Sequence, residues 1–260
     1  MSKLNQPDSD APKGERIAKV LARAGLCSRR EAERRIEAGR VTVDGERLRS
    51  PAFNVTPGAR VMVDGKVLPS KQEPRMWRYH KPPGLLTTNK DPEGRPTVFD
   101  RLPRELPRVI SVGRLDINSE GLLLLTNDGN LARKMELPDT GWKRQYRVRV
   151  HGNVRQHELD SLKKGVTVEG IRYAPIEAKL EKQDAANAWI AIDLLEGKNR
   201  EIRKVMDHLG LRVNRLIRLA YGPFHLGKLV RGQVSELPTK SMRDNLGVTY
   251  SRSTGYVDKE

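Results

Sequence analysis

Cysteine is nearly absent: Cys27 stands alone in the chain, which excludes an internal disulfide and a thiolate metal cage. The five histidines, His80, His151, His157, His208 and His225, show no HxxxH spacing, so no metal site is expected. No Gly-rich dinucleotide fingerprint follows a predicted strand, and neither a nicotinamide nor a methyl donor is expected as a cofactor. Long apolar runs are missing too. The longest candidate, 122–125, is far too short to span a bilayer. The opening segment MSKLNQPDSDAPKG has no apolar core of a secretory signal and reads as a disordered lead-in, 1–14, which points to a cytoplasmic protein with no membrane contact. The remaining shortage is of acid. Against 49 Lys plus Arg there are 33 Asp plus Glu, a net charge of +16 with 37% hydrophobic residues: a globular chain whose surface seeks a polyanion.

Its 260 residues suit a small module followed by a larger one. Ile17, Val20, Leu21 and Ala24 fall at helical spacing before Gly25, and Ser28 with Glu31 forms a capping-box pattern ahead of Ala32, Ile36 and Gly39. A repeat follows. VTVDGERL at 41–48 and VMVDGKVL at 61–68 share V-x-V-D-G-x-x-L, each Asp-Gly placed for a tight hairpin turn. The module therefore spans 15–68, two helices plus short hairpins, and PSKQEPR at 69–75 reads as a linker.

Beyond it the pattern is rich in strands: MWRYHKP, RVISVGRLD, GLLLLTND, QYRVRVHG and AWIAIDLLEG, each bounded by Gly, Pro or Asp. Helical periodicity returns at 130–135 and 200–209, where Ile202, Val205, Met206 and Leu209 line one face. An α+β domain with a mixed, largely antiparallel sheet is expected over 76–240, followed by a loose polar tail at 241–260. GPFHLGK at 222–228 has the spacing of a phosphate loop, but Leu229 replaces the hydroxyl residue that would hold magnesium. No nucleotide site is assigned there.

The two small-domain helices and the turn after them carry Arg16, Lys19, Arg23, Arg29, Arg30, Arg34, Arg35 and Arg40, and Ser28 opens the second helix, where free backbone N–H groups favour a phosphate. The same charges suit a solvated helix face. The stretch ERIAKVLARAGLCSRREAERRIEAGRVTVDGE resembles the small RNA-binding domain named after ribosomal protein S4, which implies that these residues grip structured RNA by backbone and shape.

In SVGRLDINSEGLLLLTNDG, 111–129, the polar residues Arg114, Asp116, Asn118, Ser119 and Glu120 crowd one loop between two apolar strands, a setting that holds a site wall rigid. An Asp there serves equally as a turn former or a partner for Arg114. Alternation in RQYRVRVHG puts Tyr146 with Val148 and Val150 on one strand face and Arg147, Arg149 and His151 on the other. In EGKNREIRKVMDHLG, Asn199 or Arg200 opens a helix and Arg203 flanks its buried face.

These three segments, in this order, resemble the three motifs of the RsuA/RluB family of ribosomal RNA pseudouridine synthases, and the likeness runs from 15 to about 238. Domain order and the LPTKSMRD segment look most like the branch acting on large-subunit (23S) ribosomal RNA. The resemblance implies that Asp116 is the nucleophile, that Tyr146 stacks on a flipped target base, that Arg203 is the cation paired with Asp116, and that Arg114 and Lys198 contact RNA in the cleft. Where the family places Lys two residues before the Tyr, this chain has Arg144, which keeps the charge and changes its geometry. The expected partner is ribosomal RNA or a pre-ribosomal large-subunit particle, bound by a monomer. A catalytically silent assembly factor that holds RNA with both domains is the alternative.

Overall fold

A computed structural model describes residues 14–70, 72–137 and 140–247, so most of the 1–14 lead-in lies outside the described residues. The chain divides into two compact units between Glu73 and Pro74, inside the segment read as a linker.

In the first unit β1 (Glu15–Arg16), α1 (Ile17–Arg23) and α2 (Arg29–Glu37) precede β2 (Val41–Val43), β3 (Glu46–Arg47), β4 (Asn54–Val55), β5 (Val61–Val63) and β6 (Lys66–Val67). The Ser28 hydroxyl accepts from the Glu31 N–H at 3.1 Å, so the capping pattern does start α2. Each repeat becomes a hairpin. Asp44 and Gly45 have φ of 51° and 89°, and Asp64 and Gly65 of 52° and 75°, the left-handed pair that a two-residue turn requires. The repeats then pair with each other antiparallel, Val41 opposite Val63 and Val43 opposite Val61, in a sheet ordered β3-β2-β5-β6. Their valines bury against Ile17, Leu21, Ala32 and Ile36, closing a separate small core.

The second unit is built on nine strands: β7 (Met76–Lys81), β8 (Ile110–Val112), β9 (Glu120–Thr126), β10 (Arg144–His151), β13 (Glu177–Asp184), β14 (Asn187–Leu194), β15 (Arg212–Tyr221), β16 (Phe224–His225) and β17 (Val234–Glu236). The path is β13-β14-β10-β15-β9-β7-β17, with β8 on β9 and β16 on β15. Every pair is antiparallel except β9 with β15, which run parallel at Ile217–Glu120 and Arg218–Gly121. Around the sheet lie α3 (Gly129–Glu136), α4 (Gln156–Asp160), the small hairpin of β11 (Val166–Val168) and β12 (Ile171–Tyr173), α5 (Glu201–His208) and α6 (Thr239–Leu246). Val148, Val150, Ile190 and Ile192 bury under Ile202, Val205 and Met206 of α5, while Leu122 and Leu124 pack with Leu131 and Met135 of α3.

One sequence expectation changes. The tail read from residue 241 begins instead with α6, whose Met242 and Leu246, four residues apart, are buried against the β9 side of the core. A two-residue apolar stripe among Lys, Arg, Asp and Asn is too sparse to register as periodicity; 248–260 lie outside the described residues. The GPFHLGK segment is packing material: Phe224 is buried in β16, and Gly222 has φ 53° with no room for a side chain against Trp142.

Candidate active site

Asp116 sits between β8 and β9, on a loop whose backbone is fastened almost atom by atom. The Lys81 ammonium, wholly buried at the end of β7, donates to the carbonyls of Asp116 (3.2 Å), Ile117 (3.3 Å), Ser119 (2.8 Å) and Pro82 (3.0 Å). The Gly84 N–H donates to the Ile117 carbonyl (2.7 Å), and the Ser119 N–H to that of Asp116 (3.0 Å). Thr87 donates through its hydroxyl to the Leu115 carbonyl at 2.8 Å. An ammonium buried this deeply is costly, and desolvation pushes Lys81 down to about 8 although Asp116 and Glu120 pull it back up. That cost is offset by a rigid loop backbone under Asp116.

The loop walls a cleft of about 430 Å³, lined also by Arg114, Arg144, Tyr146, Lys198, Arg200, Glu201 and Arg218. Its size falls within the range of small-ligand sites. Tyr146 reaches it from β10, half-buried between two cores, as the alternation of that strand requires. Arg114, Lys198 and Arg200 stand exposed at its edge. Arg200 caps α5 in the left-handed conformation, φ 51°, and Glu201 folds back to accept the Lys198 N–H at 2.9 Å, fixing the turn that bears both cations. Burial, with Glu196 beside it, pushes the Glu201 carboxyl up to about 7.

Of the residues singled out from the sequence, Asp116, Tyr146, Arg114 and Lys198 line one cleft and Arg203 does not. Arg203 makes no ion pair among the described residues. Its guanidinium donates to the Asn118 carbonyl (3.0 Å) and the Val213 carbonyl (3.1 Å), so it ties α5 to β15 and to the loop carrying Asp116. Desolvation and Arg200 lower its proton affinity and Asp116 opposes them. Arg218, which the sequence reading passed over, lines the same cleft, and Lys81, also passed over, holds the loop that carries Asp116. The only cue for Lys81 was a lysine at the inward end of an apolar strand, immediately before Pro82.

In the small unit the basic residues divide. Lys19 and Arg23 pair with Glu15, Arg34 and Arg35 with Glu31, and Arg40 with Asp64 through two 2.7 Å bonds, while Arg16 donates to the Ala52 carbonyl. Arg29 and Arg30 remain exposed in the first turn of α2. No cluster of three His, Cys, Asp or Glu among the described residues is placed to hold a metal ion, and no described helix is long and apolar enough to cross a membrane.

Comparison with known proteins places these features. Residues 75–208 match the family model of RNA pseudouridylate synthases and 15–61 that of the S4 domain. An RNA pseudouridine synthase of Rickettsia typhi is 45% identical over 246 residues, 94% of this chain and 98% of that one. A ribosomal large subunit pseudouridine synthase B of Salmonella typhi is 46% identical over 230 residues, 86% of this chain and 79% of that one. Among solved structures, a pseudouridylate synthase superposes with a TM-score of 0.62 at 25% identity, covering 89% of this chain and 99% of its own. The chain belongs to the RNA pseudouridylate synthase family and is a pseudouridine synthase with an S4 RNA-binding domain ahead of its catalytic unit.

Proposed function

We propose that the protein isomerises a uridine of large-subunit ribosomal RNA, with Asp116 as the nucleophile. The observation that carries the assignment of Asp116 is the fastening of its loop. Lys81, Gly84 and Arg203 together hold the carbonyls of Asp116, Ile117, Ser119 and Asn118, and a loop held in this way suits a carboxylate that must meet its target in one geometry. Isomerisation detaches uracil from C1′ of the ribose, turns it and rejoins it through C5, and a carboxylate can act in the detachment and leave afterwards. Tyr146 offers a ring face for the flipped base. Stacking contributes about 1–3 kcal/mol per base, against an unstacking cost of about a few kcal/mol. Arg203 acts as a positioning residue that keeps the loop against α5.

The exposed Arg114 and Lys198 suit phosphates of the strand entering the cleft, and Arg16, Lys19, Arg23, Ser28, Arg29, Arg30, Arg34, Arg35 and Arg40 provide the S4 unit's grip on folded RNA, Arg29 and Arg30 most directly because neither forms an ion pair among the described residues. The ribosomal target is supported by the likeness to the Salmonella typhi synthase over most of both chains. The enzyme works as a monomer in the cytoplasm, since one cleft within one unit accepts the substrate.

Carbodiimide mapping tests the substrate. Large-subunit ribosomal RNA transcribed without modification, incubated with the protein and then read by reverse transcription, is expected to show a new stop one nucleotide beyond a uridine. A stop confined to small-subunit RNA or to transfer RNA would overturn the assignment.

A further inference from the structure

Arg218 is 3% exposed, yet among the described residues it forms no ion pair. Its Nε donates to the Leu122 carbonyl at 2.8 Å, and one terminal nitrogen is buried without any partner. A permanent cation in that position costs several kcal/mol unless something anionic comes to it. Its surroundings add positive charge. The Arg218 guanidinium stands 5.3 Å from the centre of the Tyr221 ring, Arg144 stands 4.9 Å from the same ring, and the Tyr221 hydroxyl is engaged with the Met135 carbonyl at 2.7 Å. Arg144, where the family pattern has lysine, uses its planar fork to lie on that ring and to reach the Leu195 carbonyl at 2.8 Å.

Position narrows what the anion is. Arg218 lines the same cleft as Asp116 and lies directly opposite Tyr146 across the β10–β15 pair. Phosphates of a bound strand stay near solvent, where Arg114, Lys198 and Arg200 already stand exposed. The floor of the cleft receives the base. When the C1′–N1 bond breaks, its electron pair passes into the uracil ring and spreads onto the ring oxygens. That pair forms the C1′–C5 bond; the C5 hydrogen then departs as a proton, its bonding pair returns to the ring, and N1 takes up a proton.

We propose that Arg218 is a catalytic residue that donates a hydrogen bond to a uracil oxygen of the flipped nucleotide and stabilises the charge on the detached base. The inference rests on the chain being a pseudouridine synthase and is independent of which RNA it modifies.

The test compares Arg218→Met and Arg218→Lys with wild type by thermal melting and by steady-state release of tritium from large-subunit ribosomal RNA labelled at uracil C5. Arg218→Met is expected to melt no lower than wild type, because a buried unpaired charge has been removed. It should lose about 100-fold or more in kcat, the usual effect of deleting one donor to developing charge, with KM changed less than about threefold and part of kcat restored in Arg218→Lys. A rise in KM with kcat intact would overturn the proposal in favour of a phosphate contact. A fall in melting temperature that parallels the loss of activity would overturn it in favour of a structural role. Should wild type leave this RNA unmodified, the substrate proposed above fails, and a melting temperature of Arg218→Met below that of wild type, which is read without substrate, still overturns the proposal in favour of a structural role.

Discussion

Lys81 holds a charge that its surroundings disfavour, and it keeps that charge because four carbonyls converge on it. Replacing it by Met should take one donor from each of those carbonyls, those of Asp116 and Ile117 keeping only the Ser119 and Gly84 N–H groups, at a cost of about 2–4 kcal/mol, and should loosen the Asp116 loop. The expected variant melts lower and loses kcat by more than its KM changes, read by calorimetry and steady-state kinetics. Glu201 gives a pH signature. The folded chain retains its proton up to about pH 7, while the unfolded chain loses it near the ordinary 4.5. Its contribution to stability is therefore complete below about pH 4.5 and is lost as the pH rises through about 7. Glu201→Gln keeps the shape and cannot titrate, so the fall in melting temperature between pH 5.5 and pH 8 should be smaller than in wild type. Asp116 and Tyr146 were singled out in the sequence by their settings, a polar loop between apolar strands and an alternating strand, and were given roles only by the family resemblance; the structure lines one cleft with both. Lys81, Glu201 and Arg218 were not singled out. Each occupies a position where pattern alone predicts an exposed charge or a core residue, and only tertiary contacts reveal that the ionisable group is buried.

At the scale of elements, the site depends on the parallel contact of β9 with β15. Gly121 has φ +107°, and a Cβ there would stand 2.3 Å from the Arg218 carbonyl oxygen. Only glycine lets the strand that follows the Asp116 loop approach the strand that carries Arg218. Gly121→Ala should destabilise the catalytic unit by at least about 3 kcal/mol, seen in denaturant titration as a lower midpoint; an unchanged midpoint would show that this approach is not rigid. The hairpins of the small unit were readable because Asp-Gly specifies its turn within two residues. The order of the nine strands was not, since a contact such as Ile217 with Glu120 leaves no periodic trace in either segment. Helix α6 escaped for a related reason: it buries only Met242 and Leu246, and its charged neighbours dominate the local composition.

At the scale of the molecule, two units with separate cores share a net charge of +16. The division was legible because PSKQEPR interrupts apolar patterning between the second Asp-Gly hairpin and the first long strand, and the structure cuts the chain within that segment. Charge predicted a polyanionic partner without naming one; the S4 domain and the synthase family name RNA. The role proposed for the Asp116 carboxylate is to perform the isomerisation. It is tested most directly by tritium release from large-subunit ribosomal RNA labelled at uracil C5, comparing wild type with Asp116→Asn, because the reaction leaves mass unchanged but must expel that hydrogen. Wild type should release tritium, and Asp116→Asn, folded and still binding RNA, should be slower by at least about a thousandfold. Release by Asp116→Asn at a rate near that of wild type would contradict the account.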